Sequence, residues 1–352
     1  MNFIITEQPW GNINGDTISL YQITHSSGIS VSISNYGAVI QAIFTKDKND
    51  NIHDIVLGYD DLQGYLDDPF FMGCVVGRFA NRIAHGKVTI EATGYQLSIK
   101  KGHSFHHHGG IEGFNKKVWK AHTFNKENSA GVILQYYSKD GEEGYPGNLL
   151  TTITYTLNDK GQLITDYYAD TDQPTIINLT GHSYFNLSGD HSRSIEGHLL
   201  MLPLEQYLPV TDQYIPTGEL LPVKGTSLDF TNYRAISPGN LNYGEGYDNT
   251  WIVADWKPTE LKPVASIFDP HSGRILKVTT TEPSVHVYSG DYLSDEVKGK
   301  NGMGHRHHSG ICFETQHYPD SPNHPHFPST VIYPGSPYKS RTVYTFGVKD
   351  DQ

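Results

Sequence analysis

Only two of the 352 residues are cysteine, Cys74 and Cys312, too few to staple a secreted chain of this size. A reducing, cytoplasmic setting is therefore expected, with both thiols acting as small buried hydrophobes. Basic residues are also scarce: 26 Lys and Arg stand against 38 Asp and Glu, a net charge of −12, which repels phosphate backbones and argues against a nucleic-acid partner. No stretch approaches 18 consecutive apolar residues, and the start, "MNFIITEQPWGNINGD", has neither a basic segment nor an apolar core, so neither a membrane partner nor a cleaved leader is expected. A fixed-period repeat, a Pro/Ser linker and a G-x-G-x-x-G turn between strand and helix are missing too, which leaves no visible nucleotide-binding domain.

What the chain has in quantity is alternation. "TISLYQIT", "ISVSISNY", "GVILQYYS", "NLLTTITYTL", "ILKVTTT" and "RTVYTFGV" are short runs rich in Val, Ile, Thr, Tyr and Phe with a period of two, the signature of strands. Between them stand turn clusters such as "NINGD", "KDGEEGYPGN", "NDKGQ", "DPHSGR" and "KGKNG", which supply the backbone conformations that hairpins need. Long amphipathic helical patterns are absent. "DDLQGYLDD" reads as one or two helical turns from an acidic cap, cut short by Gly64. Many short strands at close spacing indicate an all-β fold, an antiparallel sandwich or barrel. β-rich units of this kind run past 200 residues as one domain, so length alone leaves one domain or two open.

The densest chemistry is "HSFHHHGG" at 103–110. In a regular strand His106 and His108 share one face and His107 takes the other. Zinc needs three or four converging ligands, and neither H-E-x-x-H nor a paired-cysteine motif is present. A second cluster, "GHRHHSG" at 304–310, could supply further ligands. The stretch is thus a metal site, a tag remnant, or one working imidazole among structural neighbours.

Five motifs occur in order: "GRFANRI" (77–83), "FHHHGG" (105–110), "GHSYFNLSG" (181–189), "GYDNTWIV" (246–253) and "GICFETQHYPDSPNHPHFPST" (310–330). Together they resemble the aldose 1-epimerases, also called galactose mutarotases, and the likeness runs from "SNYGAVIQAI" to "VYTFGV". The resemblance implies a single domain over 1–352 with the galactose mutarotase-like β-sandwich and little helix. It also implies Glu314 as catalytic base and His182 as catalytic acid, with sugar contacts from Asn81, Arg82, His108 and Asp248. Among the clustered histidines it selects His108, leaving His106 and His107 as local structure. His286 stands where several relatives carry glutamine, so a sugar contact there passes to an imidazole or is altered.

The implied reaction interconverts the α and β anomers of free hexoses such as galactose and glucose. It requires removal of the C1 hydroxyl proton and delivery of another to the ring oxygen, followed by rotation about C1–C2 and reclosure. A carboxylate accepts and an imidazole donates near neutral pH, so no cofactor and no metal is expected. The small-molecule sugar is the expected partner, and a monomer or homodimer the expected state. Maltose epimerisation, or sugar binding without catalysis on the same fold, are the alternatives. A hexose 6-phosphate enzyme needs basic groups for the phosphate, and no Lys/Arg cluster is seen beside the motifs. Asn81 and Arg82 are adjacent, so both reach one ligand only if the backbone bends there. In "GICFETQ", Glu314 shares a strand face with Cys312 and Gln316, opposite Ile311 and Phe313.

Overall fold

Each of the alternating runs becomes an antiparallel strand in the computed structural model, which describes residues 2–237 and 246–349. The pattern is clearest in Leu149–Asn158 and Gln162–Thr171, where inward and outward positions alternate almost without break. Their hairpin closes on Gly161 at φ 69. The Asn158 side chain accepts from the amides of Lys160 and Gln162, so the turn chemistry sets the register that pairs Leu157 with Leu163.

Among the described residues three large sheets result, of nine, six and five strands. In the nine-stranded sheet the hairpin strands lie beside Tyr338–Val348, near the end of the chain. Core residues from all three merge into one apolar cluster, in which Leu134, Ile153 and Leu163 of the nine-stranded sheet join Val287 and Phe313 of the six-stranded sheet. Stacked sheets bury one face each and leave the other to water or to a ligand.

Among the described residues helix is confined to short pieces. The α-helix Leu62–Leu66 is capped by Asp61, whose carboxylate accepts from the Gly64 amide, within the expected one or two turns. Among the described residues no helix is long and apolar enough to cross a membrane. Both cysteines are free and buried.

The six-stranded sheet positions the site. Its strand Ile311–Gln316 pairs with Ser284–Tyr288, which pairs with Asp248–Ile252. Directly paired residues share a face, so Glu314, His286 and Thr250 form one row and Cys312, Tyr288 and Asp248 the next. The opposite face sends Phe313, Val287 and Trp251 into the core. One face is therefore apolar packing and the other is polar, buried and available for chemistry.

Candidate active site

A cavity of about 330 Å³ lies over that polar face, within the size range of small-molecule sites. Glu314, His182, Asn81, Arg82, His108, Asp248 and His286 all line it. Residues between 81 and 314 in the chain thus converge on one space, although the five motifs that carry six of them are not contiguous and His286 lies outside all five.

Glu314 is 1 % exposed. Its Oε1 lies 3.6 Å from His182 Nε2, while its Oε2 is buried without a hydrogen-bond partner among the described residues. An orphaned carboxylate oxygen in a buried wall is costly unless a ligand satisfies it. His182 is held from the backbone, its amide donating to the Cys74 carbonyl and its carbonyl accepting from Gly73. On its far side, His182 Nδ1 lies 3.6 Å from Cys312 Sγ. Burial, and then the charge of Glu314, push the Cys312 thiol up, so it stays protonated and can donate weakly to Nδ1. In the imidazolium Nδ1–H donates to the sulfur instead, and in both states the Nε2 proton faces Glu314.

The histidine-rich stretch departs from the expected alternation. Phe105–His107 is a strand paired with Arg82–Ala84, His107 opposite Arg82. His106 faces away, bonding the Ser98 carbonyl and the Tyr145 hydroxyl. His108 then takes φ 47, which turns its ring back to the side of His107, 3.9 Å away between centroids. So His107 and His108 share the cavity wall, and His106 is the structural member. The turn depends on Gly109 at φ 83, where a Cβ would sit 1.8 Å from the Gly77 carbonyl oxygen.

His108 is nearer the reacting pair. Its ring lies edge-on to His182 at 5.4 Å, and its Nδ1 accepts from the Asn81 amide. Burial, and then neighbouring charge, depress both His107 and His108 well below the ordinary histidine range, so both are neutral donors or acceptors at neutral pH.

Asn81 sits at φ 65, the predicted backbone bend. Its Oδ1 accepts from the Arg82 amide at 2.9 Å, and both side chains reach the cavity. Arg82 Nη2 meets Asp248 Oδ2 at 3.4 Å. Asp248 opens the strand Asp248–Ile252, and His286 Nε2 donates to its Oδ1 at 2.6 Å. Burial raises this carboxyl, but Arg82 and His286 outweigh it and hold the group well below the usual carboxylate range. His286 Nδ1 is bonded to the Thr250 hydroxyl at 2.8 Å, so both of its ring nitrogens are occupied by protein.

Three participants were not identified from the sequence. Phe71, at φ 59, packs 4.8 Å from His108 and 5.9 Å from His182. Asp68 accepts from the Phe70 and Met72 amides and so shapes the loop that carries Phe71. Lys100 also lines the cavity; the "KK" at 100–101, four residues before "FHHHGG", was the signal available, and it corrects the reading that no basic cluster stands beside the motifs. For a metal, the donor atoms of His108, His182 and Glu314 lie within 4.8 Å of one another. Tetrahedral zinc at ligand distances of about 2.1 Å would require them to close to about 3.4 Å.

A family model described as Aldose 1-epimerase matches residues 19–345. The galactose mutarotase of Mus musculus is 40% identical over 347 residues, covering 98% of this chain and 99% of the mouse protein. The aldose 1-epimerase of Escherichia coli (strain K12) is 31% identical over 350 residues, covering 97% and 99%. Among solved structures, an aldose epimerase homologue from C. elegans superimposes with a TM-score of 0.84 at 28% identity, covering 92% of this chain and 97% of that one. The galactose 1-epimerase from Lactobacillus acidophilus NCFM gives 0.86 at 24% identity, covering 99% and 100%; at that identity it bears on the fold, a galactose mutarotase-like β-sandwich.

Proposed function

The chain belongs to the aldose 1-epimerase family, and from that premise we propose how its side chains carry out the reaction. It is an isomerase that interconverts the α and β anomers of free hexoses. We assign galactose and glucose as substrates, and the cavity of about 330 Å³, near the lower end for small-molecule sites, suits one ring better than a disaccharide.

Glu314 is the base and His182 the acid. One observation carries this: Glu314 Oε1 and His182 Nε2 lie 3.6 Å apart in the cavity wall, and Glu314 Oε2 is buried with no partner among the described residues. A hemiacetal carries its two reacting oxygens on a single carbon, so an acid and a base that serve both must be close neighbours. Glu314 takes the proton from the C1 hydroxyl as His182, entering the step as the imidazolium, gives its Nε2 proton to the ring oxygen and becomes neutral, and the C1–ring oxygen bond breaks to give the open aldehyde. Rotation about C1–C2 presents the other carbonyl face. His182 then recovers the proton from the attacking hydroxyl, and protonated Glu314 returns its own to the carbonyl oxygen. Protons balance, and each positioned partner contributes on the order of 10² to 10⁴ in rate.

The other residues hold the ring. Arg82 and Asn81 offer donors to hydroxyls, and Asp248 accepts from two of them. His286 acts through Asp248, fixing its Oδ1 from the side away from Arg82, which is the altered role implied by a histidine in place of the family's glutamine. His108 donates to the substrate beside the reacting carbon. A cytoplasmic location, in keeping with two free buried thiols, and a monomeric or homodimeric state complete the proposal. Polarimetry on freshly dissolved α-galactose and α-glucose tests it: the approach to equilibrium rotation should accelerate in proportion to enzyme, and a rate equal to the spontaneous one overturns it.

A further inference from the structure

One charge in the cavity wall has no task in that reaction. The Lys100 ammonium is half-buried, lines the cavity and sits 5.1 Å over the Phe71 ring, with no carboxylate in ion-pair contact among the described residues. Each other charge on this side is matched or absent. Arg82 is paired with Asp248, and His107 and His108 are neutral by burial. Glu143, which acts on Lys100 electrostatically, is committed to the amides of Ile111 and Glu112 and to the Ser98 hydroxyl. Burial depresses the Lys100 ammonium, and the like charge of Lys116 depresses it further.

An ammonium that has given up part of its water and gained no counterion is best satisfied by a ligand that brings one. The hydroxyls of a neutral hexose do not. A carboxylate or phosphate ester on the sugar does, and His103, beside Lys100 in the cavity wall, adds a further donor. The feature stands out against a chain whose net charge is −12, because nothing in the overall composition favours a cation here.

We propose that Lys100 and His103 form a subsite for an anionic substituent on the aldose, so that the same acid/base pair also epimerises hexuronates or hexose phosphates. The inference rests on the epimerase reading above. The anion is bound and not consumed, and the proton transfers at C1 and the ring oxygen are those already described.

The test is anomer exchange measured by NMR at equilibrium on the full chain, with glucose, glucuronate and glucose 6-phosphate. Wild type should turn over at least one anionic sugar with a kcat/KM no lower than that for glucose. Lys100→Gln should lower the ratio of anionic to neutral kcat/KM about tenfold, and Lys100→Arg should retain it. Response of glucuronate alone assigns the subsite to a carboxylate, and response of glucose 6-phosphate to a phosphate. Rejection of both anionic sugars by an enzyme active on glucose overturns the inference, as does a ratio indifferent to Lys100→Gln. Inactivity on glucose itself would instead count against the epimerase reading.

Discussion

Replacing Glu314 by glutamine isolates the proposed base with little change of shape. The side chain is almost wholly buried, so an isosteric amide avoids a cavity, and it removes only the ability to accept the C1 proton. The nearest titratable group, His182 at 3.6 Å, keeps a hydrogen-bonding neighbour in the amide oxygen. If the base contributes on the order of 10³, the middle of the range for positioned proton transfer, kcat falls about a thousandfold, equivalent to about 4 kcal/mol of barrier. Sugar affinity should change far less, since Arg82, Asp248 and His286 are untouched and no ring contact is lost. Anomer exchange by NMR gives the rate, and calorimetric titration with galactose gives the affinity. A Glu314→Gln variant that keeps a tenth or more of wild-type kcat would refute the assignment of the base. Loss of binding in parallel with the rate would show that Glu314 holds substrate and does not move its proton.

Four further outcomes are expected. The pH–rate profile should fall on both the acidic and alkaline sides, because one partner must be ionised and the other protonated; a flat profile from about pH 5 to 9 contradicts two titrating partners. Asp248→Asn breaks a buried contact set made by Arg82 and His286, and steady-state kinetics should show KM rising at least tenfold with a smaller change in kcat, equivalent to about 1.4 kcal/mol or more of binding. Gly109→Ala places a Cβ 1.8 Å from the Gly77 oxygen at φ 83, so thermal unfolding should show a loss of about 3 kcal/mol or more, with activity falling as His108 is displaced. His107 and His108 are depressed in the folded state and bind protons more readily when unfolded. Their stability contribution is therefore complete above the unfolded value near 6.5 and declines as pH falls below it, by up to about 1.4 kcal/mol per pH unit for each ring; denaturant melts from pH 7.5 to 5 should flatten in a His107→Gln variant.

Much of the architecture was legible because a strand writes its period directly into the residues it buries. The six alternating runs are strands, the helical segment stops after five residues, and the Asn81 bend follows from two adjacent side chains needing one ligand. The orientation of Glu314, opposite Ile311 and Phe313, also follows from alternation alone. The histidine stretch shows where that logic ends. Period two assigns His106 and His108 to one face, but φ 47 at His108 reverses the last residue and puts His107 and His108 together. Asp248 lies in a strand whose pairing with Ser284–Tyr288 no local pattern specifies.

The chain's own letters settled what is local: strand content, turn positions, scarcity of helix, and the motifs that bring Glu314 and His182 to notice. Tertiary structure alone decided which of those residues meet. Cross-strand register placed His286 beside Glu314 and let its ring bond Asp248, and loop packing set Lys100 and Phe71 against the cavity. The reason is physical: side-chain periodicity depends on a few neighbouring residues, whereas a site joining positions 81 to 314 depends on pairings between distant strands that only the buried core selects.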